Sequence, residues 1–176
     1  MAKETWKFDP SHSNVGFSAR HLMVAKVRGH FSSWNGTLEI DEENPAASHV
    51  EVSIDAASID TKEADRDKHL KSADFLNVDE FPHITFKSTK VERKGKTDLL
   101  VSGDLTIHGT THPVTLDVEY AGRAKDPWGG ERAGFSATTS INRKDFGLVW
   151  NVALETGGFL VGDKIDIVLE IEAIKA

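Results

Sequence analysis

Hydrophobic and polar residues alternate along most of this chain. Val15, Phe17 and Ala19 share one face, as do Val50, Val52 and Ile54, then Ile84 and Phe86. Leu99, Val101, Leu105 and Ile107 follow, then Val114, Leu116 and Val118, then Phe135, Ala137, Thr139 and Ile141, and finally Ile165, Ile167, Leu169 and Ile171. The other face of each set carries mostly Ser, Thr, Asp, Glu, Lys or His, the mark of strands with one buried and one wet side. With Gly36–Asp41 the pattern predicts about eight strands and no βαβ rhythm, hence an all-β antiparallel barrel or sandwich.

If consecutive strands run up and down, the connections sort onto two ends. One end receives Glu43–Ser48, Arg93–Thr97 and Gly122–Glu131, which are short, Gly-, Pro- and charge-rich turns. The other receives His21–Arg28, the insert around Arg66–Phe86, the hairpin His108–Pro113 and a long excursion after Ile141. Long connections with apolar residues of their own serve as lids or binding loops. Within the insert, Thr61–Ser72 predicts a short helix between the third and fourth strands, ended before Pro82, with Leu70, Phe75, Leu76 and Phe81 pointing into the decorated end.

Composition narrows the classes. A chain of 176 residues supports one domain, spanning 1–176. A net charge of −7 argues against non-specific nucleic-acid binding and against attraction to an anionic membrane. The absence of cysteine removes disulfides, thiolate nucleophiles and Cys-ligated metals. The start MAKETWKFDP has no apolar leader, so the expectation is a cytoplasmic protein, or a periplasmic or secreted one if a leader has been replaced by Met1.

Strand parity carries four polar residues inward at the decorated end: His21 continues the face of Ala19, His112 precedes Val114, and Arg143 and Asp145 continue the face of Ile141. They fit a polar head-group site above an apolar tunnel. They also fit strand ends reaching water, with Arg143–Asp145 a local ion pair. No metal-ligand spacing and no nucleophile or phosphate-binding motif is present, so no catalytic residue, metal or cofactor is assigned.

Six ordered blocks, FDPSHSNVGFSARHL, GHFSSWNGTLEID, SIDTKEADRDKHLKSADFLNVDEFPHITF, VSGDLTIHGTTHPVTL, GFSATTSINRKDFGL and VGDKIDIVLEIEA, resemble the YceI-like family, also called polyisoprenoid-binding proteins. The resemblance runs from Trp6 to the C-terminus. It implies an extended, lipocalin-like antiparallel β-barrel whose interior holds a long isoprenoid, such as a polyprenyl phosphate or quinone, or another amphiphilic lipid. Many members carry a leader and act in the bacterial periplasm. On this pattern His21 and Arg143, with Arg66 and His112 as weaker candidates, would hold the head group. Phe17, Phe75, Phe86, Phe135 and Phe146 would form the tunnel wall. A carrier of this kind would touch membranes only briefly, and Val168 on the outer face leaves room for a homodimer contact. Two other readings stay open: an enzyme acting on a bound lipid through His21, His69 or His112, and a stress-response interaction module with a filled core.

Overall fold

The computed structural model of the protein describes residues 3–155 and 160–176. Eleven strands form one antiparallel sheet that closes on itself: β1 (Glu4–Phe8), β2 (Asn14–His21), β3 (Ala25–Phe31), β4 (Trp34–Ile40), β5 (His49–Asp55), β6 (Ile59–Asp60), β7 (His83–Arg93), β8 (Asp98–Ile107), β9 (Thr110–Lys125), β10 (Glu131–Asn142) and β11 (Val161–Lys175). Several of these are halves of one stave. β1 and β2, separated by a short turn at Pro10–His12, both lie along β11, while β3 and β4 run together along β2 and β1. Counted as staves, the barrel has the eight strands the alternation predicts.

The sorting of loops onto two ends holds, with boundaries corrected. Residues 25–28 belong to β3, so the first connection is only Leu22–Val24. Cations at every second position and Gly29 disguise this strand as a charged loop. Likewise Thr111–Pro113 lie within β9, and the hairpin is the two-residue turn His108–Gly109, both with positive φ (56° and 73°), the mirror-image turn whose twist suits a two-stranded ribbon.

Two local devices shape the interior. Gly29 and Gly103 stand where a Cβ would come within 2.5 Å of the Phe17 ring and 2.6 Å of the Phe86 ring respectively. Each glycine lets a phenylalanine lie against the wall instead of crossing the lumen. A bulge places Ala121 opposite no partner, since Gly134 faces Gly122 while Phe135 faces Tyr120, and the inward parity shifts by one.

That shift brings Arg123 to the plain end, 5.1 Å over the buried Trp6 ring. Its guanidinium meets Glu4 at 2.8 Å, Glu42 at 3.2 Å and also Glu131, while the Tyr120 hydroxyl donates to Glu42 at 2.8 Å. Hydrogen bonds from Arg123 and Lys175 hold the Glu4 carboxyl down at about 2. The plain end is thus tied shut by charged groups around Trp6.

At the decorated end the wall divides. β5 pairs with β7, but β6 turns away to pair with β3. The insert carrying α1 (Ala64–Lys71) is rooted at this split, between the third and fourth staves. Acids in its first turn and bases in its last match the helix dipole. Asp67 ties it down by accepting from the Thr61 amide (2.9 Å) and hydroxyl (2.5 Å).

Candidate functional site

Side chains that alternate inward in a closed barrel either fill it or line a cavity, and here they line one. A cavity of about 740 Å³ runs inside the barrel, faced by apolar residues from every stave. Many inward residues, including Val50, Ile54, Leu99, Leu116, Phe135 and Leu169, are only partly buried although they face the interior. Of the phenylalanine candidates, Phe17, Phe75, Phe86 and Phe135 line this cavity. Phe146 is not: it is buried outside the cavity, with its ring 5.3 Å from that of His112.

Among the described residues, the exposed members of the lining are Arg20 and Asp65, both at the decorated end, and they mark the mouth. Around them stand His21, Arg66, His69, Trp150 and Leu160. α1 reaches the opposite rim through rings: His69 lies edge-on to Phe75 (5.1 Å) and to Trp150 (4.6 Å), and Phe75 is 5.2 Å from Trp150. Asp74 fixes the His69 ring from the other side, 2.9 Å from Nε2. Leu70 and Leu76 join the lining beneath this latch, whereas Phe81 turns away to pack on His108 at 4.7 Å.

The four head-group candidates separate by geometry. His21 lines the mouth, and its ring has no hydrogen-bond partner among the described residues. Arg66 also lines it; its Nε and Nη2 donate to the Thr61 hydroxyl and carbonyl at 2.8 and 2.7 Å. Its Nη1 has no partner among the described residues, which leaves a held guanidinium with donors to offer. His112 does not reach the cavity, because parity turns it inward but Phe146 occupies the space ahead of its ring.

Arg143 lines the cavity yet is 2% exposed and committed elsewhere. Nε donates to the Gly162 carbonyl (2.9 Å), Nη1 to those of Leu148 (2.6 Å) and Trp150 (2.9 Å), and Nη2 to that of Val161 (3.3 Å). Burial pushes its pKa down, opposed by Asp163, whose carboxylate lies 3.8 Å away. Asp145 is exposed and is not the ion-pair partner that strand parity suggested. Arg143 is therefore a clamp that fastens the segment after β10 to the start of β11. Asn151 assists it, bridging the Val161 carbonyl and amide at 2.7 and 3.0 Å.

Arg20 and Trp150 escaped the sequence reading. Arg20 falls out of the inward alternation and enters the lining only because it stands at a strand end. Trp150 sits in a segment without period, and its pairing with His69 and Phe75 is a contact between distant segments.

A closed antiparallel barrel, hollow along its axis and capped at one end by a helical insert, is lipocalin-like. The chain belongs to the YceI-like family: the sequence profile of the YceI-like domain matches residues 6–173. Protein YceI of Escherichia coli O17:K52:H18 is 43% identical over 164 residues, covering 93% of this chain and 82% of that one. The crystal structure of the Campylobacter jejuni YceI protein superposes with a TM-score of 0.78 at 31% identity, covering 89% of this chain and 90% of that one. A polyisoprenoid-binding domain from Saccharophagus degradans shares the fold at 14% identity, with a TM-score of 0.68 over 97% of this chain and 98% of that one.

Proposed function

We propose that the protein binds a single long-chain isoprenoid amphiphile and carries or sequesters it. The observation that carries this reading is the hollow apolar lumen itself. At roughly 30 Å³ per heavy atom, the share of one liquid water, a cavity of about 740 Å³ accepts about 25 carbons. That is about five isoprene units, in line with a tunnel of roughly 25 Å expected for tilted ten-residue strands. A core filled by its own side chains would leave no such volume.

The thermodynamics suit exchange with a bilayer. Burying about twenty tail carbons at ~0.8 kcal/mol each gives about 16 kcal/mol relative to water before ordering costs. Relative to lipid this gain nearly vanishes, since both media are apolar. Selectivity then falls to the mouth, where Arg66 and His21 present donors to a phosphate, pyrophosphate or quinone head group. The acid–base alternative finds less support: His112 is away from the cavity and His69 is engaged by Asp74.

Titration with a five-unit polyprenyl phosphate and the matching alcohol, read by intrinsic fluorescence of Trp34 and Trp150 in the lining, tests the reading. Both ligands are expected to saturate at one per chain. Arg66→Gln is expected to weaken the phosphate about tenfold more than the alcohol, the worth of a charge-assisted hydrogen bond. No saturable signal with either ligand would contradict the proposal, and equal losses would remove Arg66 from the head-group site.

A further inference from the structure

Five of the seven large hydrophobic residues that are strongly exposed among the described residues gather at the tunnel mouth: Leu22, Met23, Val24, Val149 and Val152, 42–79% exposed. They sit on two segments joined through the backbone. The Leu22 amide donates to the Leu160 carbonyl at 2.9 Å, and the Leu160 amide donates to that of Val152 at 3.0 Å. Leu160 itself lines the cavity, so the apolar rim is continuous with the tunnel wall.

The hairpin tip is also shaped against local preference. Leu22 and Met23 have φ of 54° and 61°, a region where bulky side chains are outliers and where hairpin turns ordinarily use Gly, Asn or Asp. A connection serving only to reverse the chain has no need of Leu-Met-Val in water. Behind the tip stand three cations on the outer face of β2 and β3: Arg20 opposite Lys26, then Arg28 opposite Ser18. None forms an ion pair within 4 Å among the described residues; Lys26 and Arg28 share an outer groove with Asp117 and Asp166, but these acids pair with Lys94 and Lys164 at 3.5 Å each, and Lys26 only adds to the pull that keeps the Asp166 carboxyl below its usual range. Although the chain as a whole carries −7, this corner is locally positive.

We propose that this corner is a bilayer-docking surface: the Leu22–Val24 tip, with Val149 and Val152, inserts at the membrane interface while Lys26, Arg28 and Arg20 meet anionic headgroups. An apolar wedge backed by cations is the combination that binds such interfaces. This deepens the carrier reading, since it sets the tunnel mouth against the medium that holds the tail and lets the tail pass without crossing water.

The test is flotation with phosphatidylcholine vesicles, with and without phosphatidylglycerol, free of isoprenoid. The protein is expected to float with the vesicles, more so with phosphatidylglycerol. The double variant Met23→Asp, Val24→Asp is expected to lose about tenfold or more of its partitioning, and Lys26→Glu with Arg28→Glu to lose the preference for phosphatidylglycerol. Both variants should still take up a polyprenyl alcohol from detergent solution, so failure of docking is distinguishable from failure of the carrier reading. Equal flotation of the wild type and the tip variant would overturn the proposal. So would a wild type that stays off vesicles but self-associates through the tip, which would make a second copy the occupant.

Discussion

Leu116→Trp combined with Ile167→Trp is expected to abolish binding of long tails while leaving the barrel folded. The two residues face the lumen from β9 and β11, on either side of β10, and two indoles there obstruct the tunnel partway along. About ten tail carbons would be displaced into water, a gross loss of about 8 kcal/mol at ~0.8 kcal/mol per methylene. Even after the ordering terms released by a shorter bound segment, affinity for a five-unit polyprenyl chain should fall at least about 100-fold. A two-unit chain should bind nearly as before.

The same variant separates a hollow barrel from a packed one. Inserting large side chains into a full core costs about 1–3 kcal/mol through displaced neighbours, whereas here they enter existing space. Thermal unfolding is therefore expected at or above the wild-type temperature. A variant that is strongly destabilised and still binds the five-unit chain would refute the hollow-lumen account.

Arg143→Ala is expected to cause a large loss of stability, since this side chain is buried. Four carbonyls, those of Leu148, Trp150, Val161 and Gly162, accept from this one side chain. Removing a buried charged donor shared among several acceptors costs about 3 kcal/mol, which corresponds to about 6–12 °C in melting temperature for a chain of this size. Arg143→Lys should recover only part of it, because an ammonium lacks the planar fork that spans the four acceptors. Binding of polyprenyl phosphate and alcohol should weaken together, since what is lost is the seating of Trp150 and Leu148 at the mouth. A selective loss of the phosphate, with stability intact, would return Arg143 to direct head-group recognition.

Much of this architecture is legible in the alternation. The inward set of β7 to β11 reads directly from Ile84, Leu105, Leu116, Phe135 and Ile167, and chain direction alone assigns the helical insert and the long excursion to one end. What defeats the pattern is local irregularity. β1 is a five-residue strand, too short to show its alternation, and β3 carries its cations outward beside a glycine that accommodates Phe17. The bulge at Ala121 reverses parity within β9 and carries Arg123 over the Trp6 ring at the plain end, which no continuous count can anticipate.

The site divides along the same line. Parity correctly turns Arg143 and His112 inward, but direction is not occupancy. Arg143 is claimed by the carbonyls of Leu148, Trp150, Val161 and Gly162, and His112 by Phe146, all contacts made after the strand has ended. Among the described residues, Arg66 keeps free donors because Thr61, five residues earlier, engages only one edge of its guanidinium.

Native mass spectrometry of the purified protein, followed by organic extraction and identification of what is released, asks directly whether the lumen is occupied. One bound amphiphile per chain is expected, with a tail of about five or more isoprene units, present as isolated or after exposure to polyprenyl phosphates and quinones, and absent from the Leu116→Trp, Ile167→Trp variant. A wild-type mass that remains that of the bare chain after exposure to both ligand classes would contradict it.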